Sequence, residues 1–181
     1  MKTVIVLLLT VVLAAGAYAQ KVDPGPGQPD TRDLLDCTGA QYLSCGQTAT
    51  NPDAGAGGAV DIYSCTGLSY GDCGEVVYEV CLGAEGNLQV DMTYNHTATN
   101  DLDLFLLGSC EENDCLEASL GTSGNESVSA ILPAGTYWVV VDGWSGRCDG
   151  TGVHDLAVIC DAPCTVSTEA HTWTDIKRRY D

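Results

Sequence analysis

Ten cysteines in an even set, all at or beyond position 37, constrain this chain more than any other feature. They are Cys37, Cys45, Cys65, Cys73, Cys81, Cys110, Cys115, Cys148, Cys160 and Cys164. Zinc sites draw on close pairs such as C-x-x-C, and no such pair occurs here. Such a density of thiols fits an oxidising compartment, so all ten are expected in disulfides. Cys110 and Cys115 enclose the turn-rich Glu111-Glu112-Asn113-Asp114, which predicts a local clasp between them. Pairing of the other eight stays open. The stretches CTGAQYLSCG (37–46) and CTGLSYGDCG (65–74) echo one another, which admits two similar loops each closed by its own bridge, or Cys45 paired with Cys65.

The start of the chain supplies the compartment. Residues 1–19 carry a lone Lys2, an apolar run from Val4 to Ala15 and an Ala17-Tyr18-Ala19 cleavage signal, the pattern of a secretory signal peptide. A spanning helix needs about 20 apolar residues, more than this run provides, and no later stretch is apolar enough, so no membrane span is expected after the leader is removed. The expected location is secreted, periplasmic or at the cell surface. Acidic side chains number 25 against 7 basic ones; loss of Lys2 leaves 6, a charge of -19. That balance excludes nucleic acid and anionic membrane surfaces as natural partners.

Composition divides the remainder. Residues 20–36 interleave Pro24, Pro26 and Pro29 with glycine and read as a linker. Residues 37–74 form a Cys-rich segment, interrupted by a glycine-rich loop at 51–58, that is expected to pack on a sandwich built from residues 75–164. Across 75–164 the hydrophobic period is two, in short segments separated by turn residues, which predicts an all-β, disulfide-stabilised antiparallel sandwich. EVVYEVCL (75–82) and NLQVDMTYN (87–95) read as a hairpin across Gly83 to Gly86. DLDLFLL (101–107) sets Leu102, Leu104 and Leu106 against Asp101, Asp103 and Phe105. SVSAIL (127–132) is a weaker strand. GTYWVVVDG (135–143) is apolar on both faces and reads as a central strand, and VHDLAVIC (153–160) closes the sheet.

The order of these segments, with the D-L-D-L-F-L strand, then A-G-T-Y-W-V-V-V-D-G, then the closing strand, resembles the bacterial pre-peptidase C-terminal domain family over residues 60–160. The resemblance implies a secreted, jelly-roll-like sandwich. Such domains are usually appended to exported hydrolases, and some members bind calcium or a substrate polymer.

Catalytic signatures fail at each candidate. Ser123 and Ser145 sit in elbow-like turns without the second glycine of a nucleophile elbow, and His96, His154 and His171 lie apart without metal-ligand spacing. His96 and His154 read as ordinary surface residues. A non-enzymatic role is therefore expected, with a small secreted hydrolase as the outlying alternative.

Calcium is the sharper candidate ligand, since it takes six to eight oxygens. Asp101 and Asp103 fall on one face of a strand, ~7 Å apart, and Asp142 ends the central strand. Against this stands a merely solvated face. Tyr137, Trp138 and Trp144 cluster around that strand; alternation buries the first two and leaves Trp144 exposed for binding. The tail, 165–181, holds Lys177, Arg178 and Arg179, with Trp173, Ile176 and Tyr180 on one face of a short helix, and reads as a docking segment in which Trp173 would bind. The expected function is an accessory module for an extracellular protein or polysaccharide. The contrasting expectation is a cell-surface assembly subunit that uses edge strands and the tail.

Overall fold

The computed structural model describes residues 35–51, 58, 60–148 and 153–164. The leader, most of the 20–36 linker, most of the glycine-rich loop and the tail lie outside the described residues. Nine strands form two sheets: β1 (Gln41–Leu43), β2 (Thr48–Asn51), β3 (Val76–Leu82), β4 (Gly86–Tyr94), β5 (Asn100–Leu107), β6 (Cys115–Ser119), β7 (Asn125–Leu132), β8 (Gly135–Cys148) and β9 (His154–Cys160). The first sheet runs β1-β3-β8-β5-β6 and the second β2-β9-β4-β7. Among the described residues the one helical element is a 3-10 turn, Glu112–Asp114. The all-β sandwich follows from the period-two patterning, which gives each strand one apolar face.

Between the sheets lies a core of Tyr78, Val80 and Leu82 from β3, Leu88, Val90 and Met92 from β4, Leu102, Leu104 and Leu106 from β5, and Val139 and Val141 from β8. The expected hairpin between β3 and β4 does not form, because the two strands belong to different sheets. All seven residues of β3 pair with β8, and β4 lies between β7 and β9. A corner at 83–85 lets both strands turn their apolar faces into one core while each finds long partners. Gly83 fits that corner because its N–H donates to the Ala162 carbonyl at 2.9 Å and a Cβ there would meet the Pro163 carbonyl oxygen.

A third layer covers the outer face of the first sheet. Leu35, Val60, Tyr63 and Tyr70 pack there against Phe105, Leu107, Val140 and Trp144. Every residue of β5 is therefore buried, on both faces. The same N-terminal region also supplies two sheet edges, β1 parallel to β3 and β2 antiparallel to β9.

All ten cysteines are bridged. The local clasp expected between Cys110 and Cys115 is replaced by Cys37–Cys110 and Cys65–Cys115, and Cys73–Cys148 completes the attachment of the outer layer to the first sheet. Cys45–Cys160 ties the N-terminal region to β9, and Cys81–Cys164 ties the chain after β9 back to β3. Neither self-closed loop in the echoed stretches exists, nor a Cys45–Cys65 bridge. The reason is spatial: the Glu112–Asp114 turn carries Cys110 and Cys115 along the covered face, where each meets a cysteine of the overlying layer.

Candidate functional site

Asp103 and Asp142 stand directly opposite one another on β5 and β8. Both are fully buried, as is Asp101, so the solvated face considered for these carboxylates is not what the fold builds. The covering layer explains the difference. Tyr70 donates its hydroxyl to Asp103 Oδ2 at 2.7 Å, and Tyr63 donates to Asp142 Oδ2 at 2.9 Å. Tyr63 stacks on Phe105 with ring centroids 3.9 Å apart, and Tyr70 meets the same ring edge-on. The Gly143 N–H donates to Asp142 Oδ1 at 2.7 Å. Burial and the nearby Glu75 charge hold the Asp142 carboxyl well above its ordinary range. Burial likewise pushes the hydroxyls of Tyr63 and Tyr70 up, with the facing aspartates adding to the shift.

Asp101 has a different environment, because the register shifts between Asn100 and Leu102. Its oxygens face Tyr94 Oη at 3.3 Å, His96 Nε2 at 3.5 Å and an Arg147 guanidinium nitrogen at 3.8 Å. The three carboxylates expected around calcium thus hold three separate sets of partners. Among the described residues, no group of three His, Cys, Asp or Glu side chains is arranged to hold a metal ion.

Trp144, expected on the surface, is 6% exposed. Residues 144–147 bulge out of β8, with Ser145 and Gly146 in the left-handed region, and the excursion folds the indole back onto the outer cluster. Arg147 lies over the same indole at 4.4 Å. Gly143, at the base of the bulge, has no room for a Cβ, which would fall 2.5 Å from Cys73 Sγ. Tyr137 is buried and Trp138 half-buried. His154, expected at the surface, is buried and lies 2.7 Å from the Tyr78 hydroxyl, because β9 is a central strand of its sheet. Trp173 and His171 lie outside the described residues.

An accessible concavity lies elsewhere. Asp36, Thr38, Gly39, Ala40 and Gln41 face Glu75, Val76 and Val77 across a groove of about 360 Å³. It exists because β1 is only three residues long and its register on β3 begins at Tyr78, so β3 extends past it by Val76 and Val77. Glu75 Oε1 accepts the Val60 N–H at 2.7 Å, and Asp36 Oδ1 accepts the Thr38 N–H at 2.8 Å. The hydrogen bond from Thr38 holds the Asp36 carboxyl below its ordinary range, so it is ionised at neutral pH. At the other end of the same β3 edge, Leu82 bridges Pro163 in antiparallel sense. The opposite side of Leu82 is taken by Gly135 of β8, which places Pro163 on the β1 side. Sequence reasoning missed this groove. Its one signal was the segment Gln41–Leu43, too brief to read as a strand.

No protein-family model matches the chain, and no curated protein matches it in sequence. Among solved structures it is similar to the pre-peptidase C-terminal domain of a collagenase from Bacillus anthracis, at TM-score 0.46 and 13% identity, over 66% of this chain and 93% of that one. It is also similar to PliG, a periplasmic inhibitor of g-type lysozyme from Aeromonas hydrophila, at TM-score 0.39 and 13% identity, over 71% and 93% of the two chains. A third similarity is to CBM35 of Abf62 from Cellvibrio japonicus, at TM-score 0.34 and 13% identity, over 71% and 94%.

Proposed function

We propose that the mature chain is a secreted, non-enzymatic binding module of the pre-peptidase C-terminal type, and that its groove beside the start of β3 receives an extended, basic stretch of an extracellular protein. The observation that carries this reading is the edge of β3, which outruns β1 by Val76 and Val77 between Asp36 and Glu75. A peptide laid there continues the sheet: backbone hydrogen bonds supply affinity, and the two carboxylates select positive charge. The order of strand motifs along residues 60–160 supports the family assignment. A polysaccharide platform has less support, since Trp144, the indole best placed to stack on a sugar, is buried. Calcium at Asp101, Asp103 and Asp142 would have to displace a tyrosine hydroxyl from each of the three carboxylates.

Fluorescence anisotropy with a labelled extended peptide rich in Lys and Arg tests the proposal. Saturable binding is expected. Asp36→Asn, which preserves the contact to the Thr38 N–H, should weaken it by about two- to fivefold, the worth of an exposed ion pair. An acidic peptide of the same length binding equally well would overturn the charge selection, and no saturable binding by either peptide would overturn the groove.

A further inference from the structure

Resting on that reading of the groove, we infer that its resident occupant is the chain's own segment 165–181, folded back along the β3 edge in cis. Direction is the first argument. At Leu82↔Pro163 the chain runs antiparallel to β3, and the Cys164 N–H faces the Cys81 carbonyl at 3.4 Å, so successive residues step toward lower β3 numbers. The Cys81–Cys164 disulfide fixes that departure. The described chain therefore ends at Cys164 aimed along the β3 edge toward the groove, with the three residues of β1 between.

Reach is the second. From Cys81 to Val76 the strand covers ~17 Å. Lys177 lies 13 positions beyond Cys164, a span of up to ~45 Å when extended. Slack of that order permits passage over β1 and re-entry beside Val76 and Val77.

Charge is the third. Arg147 is the sole Lys or Arg among the described residues, and it is held at Trp144 and Asp101. The groove presents Asp36 and Glu75, and 165–181 brings Lys177, Arg178 and Arg179. The rival basic stretch, residues 20–34, carries Lys21 and Arg32 but is broken by Pro24, Pro26 and Pro29, which cannot donate to a ladder. Tethering raises the local concentration of the segment to the millimolar range, enough for a weak contact to be occupied. The segment then competes with any partner for the groove.

The mature chain has two lysines, Lys21 and Lys177, which makes zero-length carbodiimide coupling to carboxylates decisive. In the full mature chain, Lys177 should couple to Asp36 or Glu75 within the monomer. Amide exchange at Val77, whose N–H shares the β1 side of β3 with the Cys81 carbonyl, should be at least about tenfold slower than in a full-length variant carrying Lys177→Glu, Arg178→Glu and Arg179→Glu, and the labelled basic peptide should bind that variant about tenfold tighter. Lys177 coupling found only in dimers would transfer the occupant to a second copy and overturn the cis arrangement. Coupling of Lys21 to the groove, or equal exchange in both proteins, would overturn the inference. If the variant binds peptide while the wild-type chain shows no Lys177 coupling, the groove reading stands and this inference falls. If the variant binds no peptide, the groove reading falls with it.

Discussion

Asp142 sits directly opposite Asp103, and two like charges facing across adjacent strands destabilise a sheet. Burial eases the conflict by pushing the Asp142 carboxyl well above its ordinary range, with Glu75 pushing the same way and the Tyr63 hydrogen bond opposing it. The consequence has a definite sign. The folded carboxyl lies above its ordinary value of 3.8, so the native state retains a proton that the unfolded chain has already released. The associated stability is complete below that value and is lost as pH rises, by up to about 1.4 kcal/mol per pH unit, until the buried group itself ionises. Urea unfolding between pH 4 and 7 should show this decline for the wild-type chain relative to Asp142→Asn, whose amide cannot titrate; parallel curves would refute the assignment. From the sequence, Asp101 and Asp103 could be placed on one face of a strand, but not their burial. What lies over a strand depends on residues such as Tyr63 and Tyr70, far from it in the chain.

At the level of elements, the strands with strong alternation were legible. β5 shows why: Leu102, Leu104 and Leu106 face the core as their spacing requires. β8 is central, as its apolar character on both faces implied. Strand partners were not legible, since β3 and β4 are separated by a short turn that serves as well for a sheet-to-sheet corner as for a hairpin. Cysteine spacing misled for a related reason. The bridges span 50 to 115 residues, and a bridge forms wherever the fold brings two Cβ atoms together. Replacing Cys37 and Cys110 together by serine releases a constraint worth about 4 kcal/mol in the loop-entropy account. Amide exchange in residues 60–73 should then quicken more than in residues 88–92 of the central core, as mass spectrometry of exchanged peptides would reveal. Equal acceleration in both regions would show that the outer layer and the sandwich open as one unit.

Across the whole molecule, charge and crosslinking oppose each other. The chain carries -18, and self-repulsion of that size works against compactness, while five bridges limit how far the unfolded chain expands. Raising sodium chloride from 10 mM to 0.5 M shortens the screening length from ~30 Å to below 8 Å and should raise Tm. An unchanged or lower Tm would show that local partners such as Arg147 at Asp101 outweigh the general repulsion. By itself, the sequence determined the class: period-two patterning dictates half-buried strands, and ten cysteines without metal spacing dictate disulfides. Tertiary structure alone decided the rest, including the bridge partners, the layer that buries the aspartates and Trp144, and the groove beside β3. Each of these depends on which distant segments meet, and alternation along one strand carries no information about the element that will cover it.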